Sequence, residues 1–275
     1  MNVQVHHILA ALDHLAPFAL AEDWDNVGLL IGDPEARVTS ILIGLDPDLQ
    51  LLDEALARGA NTIITHHPCI FHPLTTVITT TPAGSFLEKA LTHKINLISC
   101  HTNLDHAASG VSDALAWALG LTALTPLRPG VMMGTGATGL GRLGNFDPPL
   151  SGPAFMDRLF QVLQLNTVQV AGTVPAQIKT VALCGGSGSE LAELARTRGA
   201  DLYLSAEIKH HTARWAEECE FCVIDGSHYG TEQPILPFLQ CQMKELAIAN
   251  TWPLEIFLTQ TQQHPFTSIH KNNFR

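Results

Sequence analysis

Read as a pattern of apolar and polar positions, the chain alternates short β-branched runs with longer stretches of helical period over almost its whole length. Residues 40–46 (SILIGLD) form a β-rich run, 49–58 a helical one and 61–65 a second strand, which together make a βαβ unit. Residues 84–92 then predict a helix, 95–100 a strand, and 109–119 a helix carrying Val111, Leu115, Ala118 and Leu119 on one face. Between Pro126 and Pro153 the rhythm breaks. That stretch is dense in Gly and Pro, among them Pro129, Gly134, Gly136, Gly141, Pro148 and Pro149, and predicts turns, short edge strands and a lobe junction. The theme then returns, with strands at 178–184, 201–205 and 221–225 and helices at 189–198, 209–218 and 232–249. Such alternation predicts an α/β fold with substantial parallel pairing. Two similar lobes are expected, residues 1–125 and 126–249, with a late strand at 254–260 in the tail 250–275 returning to the first lobe's sheet.

Composition narrows the function classes. A chain of 275 residues with 46% apolar and 15% charged side chains packs a sizeable core and is far from the balance that keeps chains disordered. Fifteen Lys plus Arg against 26 Asp plus Glu leave a net charge of −11, which supplies no electrostatic footprint for duplex nucleic acid. No apolar run approaches the ~18 residues of a membrane span, and the first residues lack a basic stretch followed by an apolar one. The expectation is a cytoplasmic protein without membrane association. Six cysteines are too sparse for a disulfide scaffold. Only Cys219 and Cys222 make a CxxC, and it follows the helix at 209–218, whose negative end disfavours a thiolate, so packing is its expected role.

Histidine is the unusual component, with fourteen residues against two Tyr. Thr65-His66-His67-Pro68 ends the apolar strand at 61–65, and ligand sites of open α/β sheets lie outside the carboxyl ends of strands. Adjacent side chains of an extended backbone point to opposite sides, which suits His66 and His67 to two neighbouring ions better than to one. Pro68 keeps the pair extended. After the strand at 95–100 come His101 and Asp105; the carboxylate is a hard oxygen ligand, and His101 is open between ligand and neighbour. After the strand at 221–225, a helix starting near Tyr229 would set His228 and Glu232 at i and i+4 on one face. Three strand ends, from both halves, thus deliver His66, His67, Asp105, His228 and Glu232, a donor set suited to a binuclear centre provided that the halves fold together. Gly185-Gly186-Ser187-Gly188 reads either as a tight turn between strand and helix or as a source of amides for a phosphate.

Taken together, Trp24-Asp25-Asn26-Val27-Gly28-Leu29, Thr65-His66-His67-Pro68, His101-Thr102-Asn103-Leu104-Asp105, Gly139-Leu140-Gly141-Arg142-Leu143-Gly144, Gly185-Gly186-Ser187-Gly188, Ala206-Glu207 ahead of His210-His211, and His228-Tyr229-Gly230-Thr231-Glu232 make a specific order of motifs. In them the chain resembles the NIF-three-like family, whose bacterial members are often labelled GTP cyclohydrolase one type two homologues. The resemblance implies two similar α/β lobes with mixed, largely parallel sheets facing a central metal-containing cleft, and subunits assembled into a toroidal homohexamer. By motif it implies two divalent metal ions per subunit, zinc, manganese, iron or nickel. His66 and His67 would each bind one ion, Asp105 would hold one and His228 the other, with Glu232 shared. His101, His210 and His211 would line the same cleft with Glu207, Asp25 and Asn26, although Asp25-Asn26 also reads as a turn before Gly28. Ala206 and Ser227 stand where the family pattern has Gly, and the inserted middle domain of some relatives is absent. The expected activity is metal-dependent hydrolysis of a small nucleotide-like or heterocyclic substrate, with His101 or His210 moving protons. The alternative is a non-catalytic metal-binding regulator or chaperone acting through protein partners.

Overall fold

In the computed structural model, which describes residues 2–130 and 137–269, the first part of the chain forms α1 (Val5–Leu15), β1 (Gly28–Ile31), β2 (Ser40–Gly44), α2 (Leu49–Arg58), β3 (Thr62–Thr65), α3 (Pro82–Thr92), β4 (Asn96–Ser99), α4 (Thr102–His106) and α5 (Val111–Ala118). There follow β5 (Thr122–Pro129), β6 (Gly139–Ser151), α6 (Gly152–Leu163), β7 (Gln169–Ala171), β8 (Gln177–Ser187), α7 (Ala192–Thr197), β9 (Leu202–Ala206), α8 (His210–Glu218), β10 (Cys222–Asp225), α9 (His228–Glu232), α10 (Ile235–Ala249) and β11 (Glu255–Leu258). The strands make two sheets. One has five strands in the order β1-β4-β3-β2-β11 and the other six in the order β5-β6-β8-β9-β10-β7. Strands β11, β2, β3 and β4 run parallel, as do β8, β9 and β10, while β1, β5, β6 and β7 supply the antiparallel pairings. The class is therefore α/β with mixed sheets.

Local chemistry accounts for the elements. The run Leu42, Ile43, Ile63, Ile64, Leu97 and Ile98 is wholly buried because both faces of the first sheet are covered, by α1, α5 and α10 on one side and by α2 and α3 on the other. Helix α2 starts where Asp48 accepts the Leu51 amide at 2.7 Å and stops at Gly59, whose φ of +69° is the left-handed cap that glycine adopts without strain. Its buried Leu51 and Leu52 contribute about 1.5–3 kcal/mol each. Helix α5 joins the two cores, turning Val111 and Ala114 to the first and Leu115 and Ala116 to the second.

Several elements depart from the expected pattern. The stretch 126–153 was expected as turns and edge strands; β6 instead spans 13 residues inside the second sheet, between β5 and β8. Its glycines permit this, since a Cβ on Gly141 would come within 2.8 Å of the Leu183 carbonyl and one on Gly144 within 2.5 Å of Leu124. The ladder loses register between Asn145 and Leu150, where Pro148 and Pro149 offer no amide. Gly134 and Gly136 lie outside the described residues. The helix expected at 232–249 divides into α9 and α10 around Gln233 and Pro234. Strand β5 straddles the expected lobe boundary and belongs to the second sheet, while α10 packs Ile235, Leu236, Leu239 and Met243 into the core on the first sheet. Strand β11 pairs parallel with β2; residues 270–275 of the expected tail lie outside the described residues.

A buried ion pair links the parts. Arg142 of β6 is 2% exposed and spends its guanidinium on both carboxylate oxygens of Asp113, at 2.8 and 2.6 Å, and on the carbonyls of Gly139, Gly141 and Ala107 at 2.6–2.8 Å. Every side of the fork meets an oxygen, the condition under which a buried charge is tolerated. Among the described residues no helix is long and apolar enough to cross a membrane.

Candidate metal centre

The carboxyl ends of parallel strands from both sheets deliver the site. His66 and His67 follow β3, His101 follows β4, and His228 and Glu232 lie on α9 beyond β10. Helix α9 is only five residues long, started by the Ser227 hydroxyl accepting the Gly230 amide, and it overlays His228 on Glu232 with Nε2 3.0 Å from Oε1. Ser227 holds φ at +66°, the region where the family pattern has glycine, and the capping hydroxyl offsets that strain.

Four imidazoles share one orientation. Nδ1–H of His66 donates to the Cys100 carbonyl at 2.8 Å, that of His67 to Asp46 at 2.7 Å, that of His101 to Asp25 at 2.8 Å, and that of His228 to Glu207 at 3.1 Å. A carbonyl or carboxylate only accepts, so each partner holds the ring proton on Nδ1 and leaves Nε2 to face inward. The inward atoms are crowded. His67 Nε2 lies 3.3 Å from His228 Nε2 and 3.1 Å from Glu232 Oε2, while His66 Nε2 lies 3.6 Å from Glu232 Oε1 and 3.7 Å from Asp105 Oδ1. His66 Nε2 and Glu232 Oε2 are buried without a hydrogen-bond partner. Donors bonded at about 2.0–2.1 Å around one tetrahedral ion stand roughly 3.3 Å apart, so these separations are those of atoms sharing a cation. Ligand atoms of His66, His67 and His101 lie within 4.8 Å of one another, as do those of His67, His228 and Glu232. The donor set fits a metal ion.

Electrostatics draws positive charge to the same spot. Burial opposes a charge on His66, but the carboxylates of Asp105 and Glu232 outweigh it and raise its pKa. Burial likewise opposes a charge on His67, and the hydrogen bond to Asp46 with the neighbouring carboxylate of Glu232 raises it to about 10. His228 is raised by Glu232 against its own burial. Glu232 is 3% exposed, and although burial alone would raise its pKa, His66, His228 and His67 hold it well below the carboxylate range. Asp105 goes the other way, pushed up by burial and by the neighbouring charge of Glu232.

Glycine makes room for the shared carboxylate. A Cβ on Gly186 would lie 2.2 Å from Glu232 Oε1, and its φ of +65° is left-handed as well. The Gly185-Gly186-Ser187 segment, expected as a tight turn or a source of phosphate-binding amides, is the end of β8; it cradles Glu232, and Gly186 N–H donates to the Thr231 hydroxyl at 3.0 Å.

Of the residues singled out in sequence, His66, His67, Asp105, His228 and Glu232 come together, with His101 beside them. Asp25, expected along a cleft wall, has a side chain of 0% exposure behind His101, where it also accepts the amide and hydroxyl of Thr102. These bonds outweigh burial and hold its carboxyl below the usual range. Asn26 donates to the Ile70 carbonyl at 2.6 Å. His210 and His211 sit exposed at the start of α8, outside both ligand groups. Cys222 is buried and its thiol is pushed up to about 12, which leaves no thiolate. Sequence reasoning missed Asp46, although it follows β2 at a strand end like the others. A hollow of about 320 Å³ opens onto the cluster, lined by His101, Asp105, His228 and Glu232 together with Trp24 and Arg128. The larger hollow of about 970 Å³ reaches Asp46 and Pro68 but none of the inward-facing ligands.

Two mixed α/β sheets whose strand ends gather histidines and acids around an inward-facing donor set define an α/β protein with a candidate metal site, and comparison with known proteins narrows the class. The profile of the Duf34/NIF3 (NGG1p interacting factor 3) family matches residues 3–265, and the chain belongs to that family. A Streptomyces coelicolor protein named GTP cyclohydrolase 1 type 2 homolog is 34% identical over 268 residues, covering 96% of this chain and 94% of its own. A Clostridium acetobutylicum protein of the same name is 32% identical over 234 residues, covering 85% and 87%. The crystal structure of the Staphylococcus aureus hypothetical protein SA1388 superposes with a TM-score of 0.91 at 29% identity, over 98% of this chain and 100% of that one.

Proposed function

We propose that this protein binds two divalent ions and hydrolyses a small heterocyclic or nucleotide-like molecule. The observation that carries the reading is the set of four imidazoles with Nδ1 pinned outward, three of which, His66, His67 and His228, turn Nε2 toward the buried carboxylate of Glu232. His66 and Asp105 would hold one ion and His67 and His228 the other, with Glu232 shared, since its Oε1 lies 3.6 Å from His66 and 3.0 Å from His228 and its Oε2 lies 3.1 Å from His67. Divalent ions, when bound, supply Lewis-acid activation of water near neutral pH. Asp46, Asp25 and Glu207 orient the rings, and the hollow beside the cluster supports access by a small substrate. The names of the relatives favour a cyclohydrolase-type ring opening.

Elemental analysis of metal-reconstituted, desalted protein should give two ions per chain. One ion or fewer overturns the dinuclear reading, and Glu232→Gln should lose more than half of the metal. A screen of nucleotides, pterins, phosphoesters and small amides, with His66→Ala as the blank, tests hydrolysis. For His101→Ala, lost metal identifies a ligand, whereas full metal content with lost turnover identifies a proton carrier at Nε2; the same comparison on His210→Ala tests that residue. The family resemblance also supports a homohexamer, and light scattering that reports a monomer at micromolar concentration rejects it.

A further inference from the structure

We infer that the hollow beside the cluster recognises a planar heterocycle carrying an anionic group, with Trp24 as the stacking surface and Arg128 as the anion contact. The inference rests on the metal-hydrolase reading and names how that site selects its substrate. Trp24 is 58% exposed, an unusual place for an indole, yet it is not loose. Its ring centroid stands 5.7 Å from that of Phe71, itself 40% exposed, and 6.3 Å edge-on from His101. The indole is thus braced against a ring of the donor set and keeps a face open within the hollow. A flat ring laid on that face would lie next to His101 and the other donors that line the hollow.

Charge sets the second half of the specificity. The lining is acidic, with Glu22, Glu190, Asp105 and Glu232, in a chain of net charge −11. Arg128, projecting from β5 of the second sheet, is the single Lys or Arg among the lining residues, and no ion pair to it is formed among the described residues. A guanidinium left free in an acidic hollow is suited to a phosphate or carboxylate, which it grips with two parallel N–H donors. Trp24 comes from the first lobe and Arg128 from the second sheet, so a ligand that uses both spans the hollow.

The test is calorimetric titration of the manganese-reconstituted full chain with GMP, guanosine and ribose 5-phosphate, with metal content measured on the same samples. GMP should bind more tightly than either fragment. Trp24→Leu should weaken GMP and guanosine about tenfold and leave ribose 5-phosphate unchanged, and Trp24→Phe should restore binding. Arg128→Gln should weaken GMP and ribose 5-phosphate about tenfold without changing guanosine. The inference is overturned if the metal-loaded chain does not bind GMP, if Trp24→Leu weakens all three probes equally or alters only the oligomeric state, or if Arg128→Gln leaves GMP unchanged. Manganese uptake without GMP binding overturns this inference alone, whereas no uptake overturns the metal reading beneath it.

Discussion

Asp25 shows how much of a candidate metal site lies in residues outside its donor set. Its carboxylate gives up hydration entirely, and His101 and Thr102 return the hydrogen bonds that keep it ionised. In exchange it fixes the tautomer and tilt of His101, as Asp46 does for His67. Asp25→Asn keeps the shape and removes the charge, so with His101 acting as a ligand it should weaken metal binding by about 10–100-fold, as loss of an outer partner of a ligating histidine does. Competition against a chelator measures this, and an unchanged affinity would take His101 out of the ligand set.

Between residues and molecule, the elements position the donors by where they end. Helix α9 is long enough to stack His228 on Glu232 and short enough to stop before Pro234, which lets α10 turn back to the core on the first sheet. Opposite it, β8 approaches so closely that only glycine fits at 186. Gly186→Ala should therefore push Glu232 aside and lower metal content to less than half while the far-ultraviolet circular dichroism stays near that of the native chain. Full metal content in this variant would mean that β8 has slack that its geometry denies.

The molecule as a whole is held together by polar groups that few single elements would predict. Asp113→Ala leaves the Arg142 guanidinium buried without its partner, and urea unfolding should show a loss of about 3–5 kcal/mol. Replacing both residues with apolar ones should recover most of it. Glu54 does similar work for the returning tail: it accepts the Thr259 hydroxyl at 2.7 Å, the Gln260 amide at 3.1 Å, the Thr261 hydroxyl at 3.0 Å and Arg58 Nε at 2.9 Å. Burial would raise its pKa, but these donors win and lower it. A depressed carboxylate stabilises the fold above its unfolded pKa and loses that contribution as pH falls through its folded one. Glu54→Gln should thus cost about 1–3 kcal/mol near neutrality, and melting curves should show the gap to the native chain closing below about pH 4. A gap independent of pH would assign Glu54 no ionised role.

Alternating apolar runs made the α/β class and nearly every parallel strand legible in the chain, because burial on both faces demands an unbroken β-branched stretch whatever the neighbours are. The candidate donors His66, His67, Asp105, His228 and Glu232 stood out for a related reason: each lies just past such a stretch or on the short helix that follows it, where the backbone leaves the sheet. Other features depend on distances across the fold and leave no local mark. That Asp25 is buried behind His101, that Gly186 yields to Glu232, that a Gly- and Pro-rich stretch runs as an interior strand around Arg142, and that α10 joins the first core all arise from contacts between residues dozens of positions apart. Periodicity records which side of an element is buried; it does not record what it is buried against, and in this protein that second choice aligns the imidazoles.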